Sequence, residues 1–329
     1  MLLSSGPSMT VTMRDILSAR SVLRRYLAPT ALYRHPLLST RLGFDAYVKH
    51  ENHLPIGAFK VRGGLNLFAN LRERELKYGV IAATRGNHGL SLAYAARMFG
   101  SRCVIYVPRG NNPEKNTLMQ TLGAEIVEFG RDFDDARLEA EARAHSDNMR
   151  FVHPANEPLL IAGVGTMALE IAEKLPELDA IIVPMGSGSC ASGTVIALRS
   201  LLPKVRIIGV QAERAPALAR SLEKGELVST SHADTFAGGL ATRFAYELPF
   251  QLLKGQLDEV VLVSEEEMRE AVREALETTH NVAEGAAAAA YAAARKIRAS
   301  LAGSRVVIVH TGQNTDRNTL RWALGMFDA

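Results

Sequence analysis

Short runs of hydrophobic residues recur along the chain, and segments with helical spacing lie between them. The seven strand candidates are residues 80–83, 103–107, 124–129, 180–185, 206–211, 259–263 and 305–310. Most of them are hydrophobic at nearly every position, which is typical of strands buried on both faces of a sheet. Strands that alternate with helices predict an α/β fold with mostly parallel, helix-covered sheets.

Two of the helical segments have clear signatures. In the first, apolar residues fall on one helical face, at Ile16, Ala19, Leu23 and Tyr26. The second begins with a capping box, because Ser264 and Glu267 are spaced so that each side chain can bond the other residue's backbone N–H. Met268 and Val272 then continue the apolar face of this helix.

The length of the chain predicts two domains, one inserted in the other. With 329 residues, the chain is too long for one ordinary domain. We see no internal repeat and no low-complexity linker, so we expect the chain to leave one sheet and return to it later. Three strand candidates fall between residues 80 and 129. We therefore predict a small domain at 80–155, inserted in a large domain formed by 1–79 and 156–329.

Composition and charge exclude several classes of partner. Hydrophobic residues make up 47% of the chain and charged residues 22%, which is enough for a substantial core. The formal net charge of +3 is small and no basic cluster stands out, so nucleic-acid binding is not expected. No apolar stretch reaches membrane-spanning length, so we expect no membrane association.

The cysteine content and the N-terminus predict a cytoplasmic protein. Cys103 and Cys190 are the only cysteines and form no CxxC pair, which fits a reducing compartment and argues against disulfides or a zinc site. The first fifteen residues lack the charged start and long apolar run of a signal peptide.

Lys60 is the first candidate for chemistry. It stands among small and apolar residues in the segment 51–64, ENHLPIGAFKVRGG, just before a helical pattern. Partial burial would favour the neutral, nucleophilic amine that Schiff-base chemistry needs. Taken alone, a lysine beside a turn is more often an exposed surface residue.

Two loops follow strand candidates and precede helical patterns, which is where backbone N–H groups can bind an anion. The first, 84–89, reads TRGNHG and would suit a carboxylate or a phosphate. The second, 186–193, reads GSGSCASG and would form an anion nest. It is neither a P-loop nor a dinucleotide fingerprint. Each loop, taken alone, is also compatible with a plain tight turn.

A third polar turn, HTGQN at 310–314, ends the last strand candidate. Ligands of open α/β sheets bind at the carboxyl ends of the strands. Three polar turns and a lysine at one such edge predict a ligand site far more strongly together than each does alone.

The combination resembles the fold-type II pyridoxal-phosphate enzymes, in the branch of threonine/serine dehydratases and serine racemases. Segment 51–64 looks like the lysine motif of that family, and 84–89 resembles its asparagine loop. Gly186 to Ser189 match its glycine-rich phosphate loop, with two glycines replaced by serine. The resemblance covers about residues 12–316 in family order, and it implies two open sheets with the smaller domain inserted in the larger.

The resemblance also implies a role for each site residue. Lys60 would form the Schiff base with pyridoxal 5′-phosphate and then act as base for the α-proton. The other cofactor-binding residues would be Phe59, Asn87, Gly186, Ser187, Gly188, Ser189, Glu284 and Thr311. The substrate would be bound by Thr84, Arg85, Gly86, Asn87 and His88. The implied reaction is β-elimination from a β-hydroxy-α-amino acid such as threonine or serine, giving a 2-oxo acid and ammonia.

Arg85 departs from the family pattern. In related racemases a serine at this position protonates the opposite face of the substrate, whereas arginine stays protonated near neutral pH and is poorly suited to that role. An arginine fork matches a carboxylate, so we expect Arg85 to select a substrate with an extra anionic group or to bind the α-carboxylate. The alternative is that Arg85 points outward and pairs with a surface acid.

Two further departures concern metal and length. Gln211 and Ala217 stand where relatives bind a divalent cation through acidic residues, so we expect no tightly bound metal there, although Glu213 is close by. The chain ends soon after Thr311, from which we expect no regulatory C-terminal domain and a catabolic or specialised role. A homodimer is expected from the family alone.

Several activities remain open at this point. The substrate could be threonine, serine, 3-hydroxyaspartate or a hydroxylated diamino acid such as one from hydroxyectoine breakdown. The alternatives are, in order, an amino-acid racemase and a β-replacement synthase, in which the lysine is usually followed by Asp-Arg rather than Val61-Arg62. A phosphate-ligand-binding protein without catalysis is the least favoured alternative.

Overall fold

A computed structural model describes residues 10–326 of the chain. The strands are β1 Leu32–Arg34, β2 Asp45–His50, β3 Val80–Ala83, β4 Cys103–Val107, β5 Glu125–Glu128, β6 Arg150–Phe151, β7 Ala180–Pro184, β8 Arg206–Ala212, β9 Glu259–Val263 and β10 Arg305–His310. The helices are α1 Met13–Leu23, α2 Pro36–Leu42, α3 Lys60–Ala69, α4 Glu73–Tyr78, α5 Asn87–Phe99, α6 Pro113–Thr121, α7 Phe133–Ser146, α8 Pro158–Lys174, α9 Ser189–Leu201, α10 Ala217–Lys224, α11 Glu247–Leu253, α12 Glu265–Thr279, α13 Gly285–Lys296 and α14 Arg317–Ala323. Of the first fifteen residues, for which no signal peptide is expected, residues 1–9 lie outside the described part of the chain.

Six strands form the larger sheet, in the order β1-β2-β10-β7-β8-β9. All neighbours in it are parallel except β1, which pairs antiparallel with β2. The four predicted strands of this sheet lie where the hydrophobic pattern placed them, within two residues at either end. β2 was not predicted, because its sequence DAYVKH mixes polar with apolar residues.

The smaller sheet has four parallel strands in the order β5-β4-β3-β6. The chain leaves the larger sheet after β2, completes the smaller one, and returns at β7, as the α/β prediction with two mostly parallel sheets requires. Leu65 and Phe68 of α3 share a core with Leu90 and Leu92 of α5, so a helix that precedes residue 80 covers this sheet. We keep the division at 80–155 as a proposal.

The two helix signatures hold in the structure. The Ser264 hydroxyl accepts from the backbone N–H of Glu267 at 3.1 Å, and the Glu267 carboxylate accepts from the N–H of Ser264 at 2.7 Å. Ile16, Ala19 and Leu23 are buried on α1, as predicted, whereas Tyr26, which was assigned to the same helical face, lies in the turn after the helix ends. No described helix is both long and apolar enough to cross a membrane.

Candidate active site

One cavity lies where the carboxyl ends of three strands from both sheets meet. Thr84 follows β3, Gly186 comes just after β7, and Thr311 follows β10. The cavity has a volume of about 120 Å³ on a measure by which a single water needs only about 10–15 Å³. The predicted site residues all line it, namely Phe59, Lys60, Thr84, Arg85, Gly86, Asn87, His88, Gly186, Ser187, Gly188, Ser189, Glu284 and Thr311.

Lys60 is the first residue of α3, and its amine faces the glycine-serine loop. Its Nζ donates to the hydroxyl of Ser189 at 2.8 Å and to the carbonyl of Pro154 at 2.9 Å. Burial lowers the pKa of Lys60 to about 8. A much larger fraction of this amine is therefore neutral near pH 7–8 than of an exposed lysine, and the neutral form is the nucleophile.

The backbone around Lys60 is tied to the end of β10. The N–H of Phe59 donates to the carbonyl of Thr311 at 3.0 Å, and the N–H of Gln313 donates to the carbonyl of Gly57 at 2.9 Å. Gly57 has a φ of +68°, which non-glycine residues rarely adopt. The lysine and the last strand of the sheet are therefore held together, although they are about 250 residues apart in the sequence.

A buried ionic cluster anchors α3 just beyond Lys60. The Arg62 guanidinium donates to both oxygens of Glu51, at 2.7 and 2.9 Å, and to both oxygens of Glu170, at 2.6 and 2.9 Å. Lys49 of β2 donates to Glu170 as well, at 2.5 Å. Glu51 and Arg62 belong to the lysine motif, so the motif combines a reactive amine with the ion pair that positions its helix.

The glycine-serine loop from Gly186 to Ser189 is shaped for an anion. A Cβ on Gly186 would lie 2.1 Å from the carbonyl oxygen of Gly239, so the position has no room for a side chain. Gly188 has a φ of +95°, and α9 begins at the next residue. The first N–H groups of a helix have no partner within it, so those of α9 are available to a phosphate at the cavity.

The loop from Thr84 to His88 forms the start of α5. The N–H of Gly86 donates to the Thr84 hydroxyl at 2.9 Å, so this N–H group is already engaged. His88 Nε2 lies 3.1 Å from the carbonyl of Val152, which can only accept, and so Nε2 carries the proton. Burial lowers the pKa of His88 to about 3, so the ring is neutral at neutral pH. The N–H groups at the start of α5 remain the best carboxylate donors of this loop.

Asn87 is held by two further polar side chains. Its amide donates to Glu284 Oε1 at 2.6 Å, and its oxygen accepts from the amide of Asn314 at 2.8 Å. Asn314 also donates to the carbonyl of Ile56 at 2.8 Å. Burial raises the pKa of Glu284. Asn314 stands in the polar turn after β10, yet the sequence did not single it out, because nothing local connects that turn to Asn87.

Thr311 presents an unsatisfied hydroxyl to the cavity. Thr311 is 2% exposed, and its Oγ1 has no hydrogen-bond partner among residues 10–326. A buried hydroxyl without a partner costs about 1–3 kcal/mol. The cavity therefore offers a place for a ligand atom that can hydrogen-bond Thr311.

Other cavity residues were missed by the sequence predictions. They are Lys115, Phe133, Pro154, Pro184, Cys190, Ala286 and the loop residues Gly238, Gly239, Leu240, Ala241 and Thr242. The doublet Gly238-Gly239 was a readable signal for a close backbone approach. Lys115 had no such signal, because only the packing of α6 beside the start of α5 brings it there.

Gln211 and Glu213, which stand at the position compared with a divalent-cation site, have other partners. Gln211 donates to the carbonyl of Gly186 at 3.2 Å and accepts from the N–H of Ala219 at 2.7 Å, so it braces the glycine-serine loop. Glu213 pairs with Lys296 at 3.4 Å. Within the described part of the chain, no group of three or more His, Cys, Asp or Glu side chains could hold a metal ion.

Comparison with known proteins places these features in context. The family described as pyridoxal-phosphate dependent enzyme matches residues 23–312. An L-threonine ammonia-lyase of Thermotoga maritima is 39% identical, over 94% of this chain and 77% of that protein. A catabolic L-threonine dehydratase of Escherichia coli K12 is 30% identical, over 97% of this chain and 98% of that protein. The solved structure of maize serine racemase superposes with a TM-score of 0.90 at 26% identity, covering 96% of this chain and 98% of that one.

Proposed function

The chain belongs to the family of pyridoxal-phosphate-dependent enzymes, and we propose that the cavity described above is its active site. The protein is an ammonia-lyase that removes water and then ammonia from a β-hydroxy-α-amino acid such as threonine or serine, leaving a 2-oxo acid. The observation that carries the assignment of the site is the position of Lys60, whose amine lies 2.8 Å from Ser189 in the glycine-serine loop.

The residues of the cavity fit pyridoxal phosphate. The hydroxyl of Thr311, which has no partner among the described residues, could donate a hydrogen bond to the pyridine nitrogen. The loop from Gly186 to Ser189 would hold the phosphate through its backbone N–H groups. Phe59 would pack near the ring, and Asn87, braced by Glu284, would hydrogen-bond the ring hydroxyl. Lys60 would hold the aldehyde carbon through its amine.

When bound, the cofactor supplies an electron sink that stabilises negative charge on the α-carbon of the substrate. Lys60 Nζ, released when substrate binds, takes the α-proton, and its lowered pKa keeps enough of the amine neutral for this. The start of α5 and Thr84 orient the α-carboxylate. His88 stays uncharged beside them, so the carboxylate is bound by N–H and hydroxyl groups rather than by an imidazolium cation.

Incubation with threonine, serine and related β-hydroxy-amino acids tests the function, with ammonia, keto acid and D-amino acid measured. We expect ammonia and keto acid in equal amounts. Release of the D-amino acid without ammonia would instead identify a racemase. A requirement for sulfide would identify a replacement synthase.

A lysine variant tests the assignment of the site. Borohydride should bleach the cofactor absorbance of the wild type and leave the cofactor attached to the peptide that contains Lys60. Lys60→Ala should lose this attachment and at least about 10³-fold in kcat, within the range for a base that also anchors the cofactor. Lys204→Ala, which changes an exposed lysine, is the matched control. Attachment at another lysine would contradict the assignment.

A cytoplasmic homodimer is part of the proposal. Both cysteines, Cys103 and Cys190, are unpaired and buried, which fits a reducing compartment. Light scattering on the purified holoenzyme measures the subunit number, and a monomeric mass would contradict the dimer.

A further inference from the structure

Arg85 lies at the edge of the cavity and is a cation without a partner among the residues from 10 to 326. It makes no hydrogen bond and no ion pair with any residue that the structure describes, and it is only partly exposed. Two clefts beside the cavity are also lined by Arg85 and by Asp234, yet the two side chains form no ion pair. The structure therefore does not show the alternative in which Arg85 pairs with a surface acid, since the neighbouring Asp234 forms no ion pair with it.

Lys115 adds a second positive charge to the lining of the same cavity, near Arg85. Its Cδ lies 3.1 Å and its Nζ 3.5 Å from the point that a Cβ on Gly86 would occupy, so the side chain lies against the residue that follows Arg85. The ammonium group makes no hydrogen bond or ion pair with a described residue, although its charge acts on the nearby Glu284 and Asp316.

These cations exceed what the proposed chemistry needs. Lys60 is taken by the aldehyde, the glycine-serine loop offers backbone N–H groups to the phosphate, and the start of α5 offers N–H groups to the α-carboxylate. An unpaired guanidinium presents a planar fork that matches a carboxylate in a bidentate manner. A neutral methyl group or hydrogen, as on threonine or serine, leaves that fork without a partner.

We propose that Arg85, assisted by Lys115, binds a second carboxylate on the substrate, so that the preferred substrates are acidic β-hydroxy-α-amino acids. The inference rests on the proposed function, since it names the substrate class of the same site. It makes Arg85 a specificity-determining residue that touches the distal end of the substrate and leaves the reacting atoms to Lys60.

The first test compares threo-3-hydroxyaspartate with threonine as substrates of the holoenzyme. Charge-assisted hydrogen bonds contribute about 1.5–3 kcal/mol, which corresponds to about 10- to 150-fold in kcat/KM. We expect the wild type to prefer the dicarboxylate by that factor. Arg85→Met should lose the preference, because kcat/KM for the dicarboxylate should fall far more than kcat/KM for threonine, while Arg85→Lys should retain part of the preference.

Arg214→Met is the matched control, because Arg214 lines an adjoining cleft but not the cavity itself. It removes the same charge and should leave the preference in place. Equal losses on both substrates in Arg85→Met, or the same loss of preference in Arg214→Met, would overturn the assignment. So would loss of cofactor absorbance in Arg85→Met, because Arg85 would then hold the cofactor rather than the substrate.

A second readout does not depend on turnover. Malate and lactate differ by one carboxylate and lack the amino group, so thermal stabilisation of the holoenzyme reports binding of the second carboxylate alone. Malate should stabilise the wild type more than lactate does, and the difference should vanish in Arg85→Met. If no β-hydroxy-amino acid is turned over, the proposed function fails, whereas an absent malate effect overturns the role of Arg85 even if threonine is a substrate.

Discussion

Replacing Arg62 by methionine tests the ionic cluster beneath the reactive lysine. Arg62 is 1% exposed and Glu51 is 0% exposed, and the substitution leaves the Glu51 carboxylate buried with only the hydroxyl of Thr30 as a remaining side-chain donor, at 2.7 Å. Removing one partner of a buried ion pair typically costs about 3–5 kcal/mol, because the other charge stays buried without compensation.

The corresponding change in melting temperature follows from the length of the chain. Unfolding entropy is about 2.1 cal/mol/K per residue, so 329 residues give about 0.7 kcal/mol/K. We therefore expect Arg62→Met to lower the Tm of the holoenzyme by about 4–7 °C. Circular dichroism in the presence of excess cofactor, which keeps the site saturated in every variant, measures this shift.

An exposed ion pair provides the control for this experiment. Arg305 pairs with Asp179 at 2.9 Å, but both side chains are about 40% exposed. Such pairs contribute about 0–1 kcal/mol, so Arg305→Met should lower Tm by less than about 1.5 °C. A similar small shift for Arg62→Met would refute the view that the buried cluster stabilises this part of the fold.

A second substitution tests the electrostatic cause. Glu51→Gln combined with Arg62→Met removes both charges of the pair, so the double variant should be more stable than the sum of the two single effects by about 0.5–3 kcal/mol. Strict additivity would mean that lost packing, rather than an unpaired charge, causes the destabilisation.

Three other outcomes follow from the structure. Burial lowers the pKa of His50 to about 3, so between about pH 6.5 and pH 3 the unfolded chain binds a proton on this ring and the folded state does not. Stability should therefore fall by about 1.4 kcal/mol for each unit by which the pH is lowered through this range. The slope of Tm against pH should be smaller in His50→Gln than in the control His145→Gln. Gly188→Ala should lose cofactor at concentrations that saturate the wild type, because φ is +95° there, and unchanged occupancy by absorbance titration would contradict this. Asn314→Ala removes the donor that orients the oxygen of Asn87, and we expect kcat/KM to fall by about 5- to 30-fold with cofactor still bound; an unchanged kcat/KM would rule out this positioning role.

The hydrophobic pattern was a good guide to the strands that are mostly apolar, but it did not predict the short edge strands β1 and β6 or the inner strand β2. β3, β4, β9 and β10 begin and end at the predicted residues, because each is a short, mostly apolar run, which is typical of strands in a helix-covered parallel sheet. β2 carries Lys49 into the interior, where Glu170 compensates its charge. A polar residue in such a strand is compatible with burial only because of a partner 121 residues away, which no local pattern shows.

The sequence by itself determined the local chemistry: a lysine before a helix and polar loops after apolar strands, each of them recognisable from consecutive residues. Tertiary structure alone decided which distant groups serve those loops. It placed Asn314 on Asn87, Gly239 against Gly186, and Lys115 against Gly86. The physical reason is that parallel strands bring their carboxyl ends together whatever their separation in the chain, whereas the partners that meet there depend on how the two sheets pack.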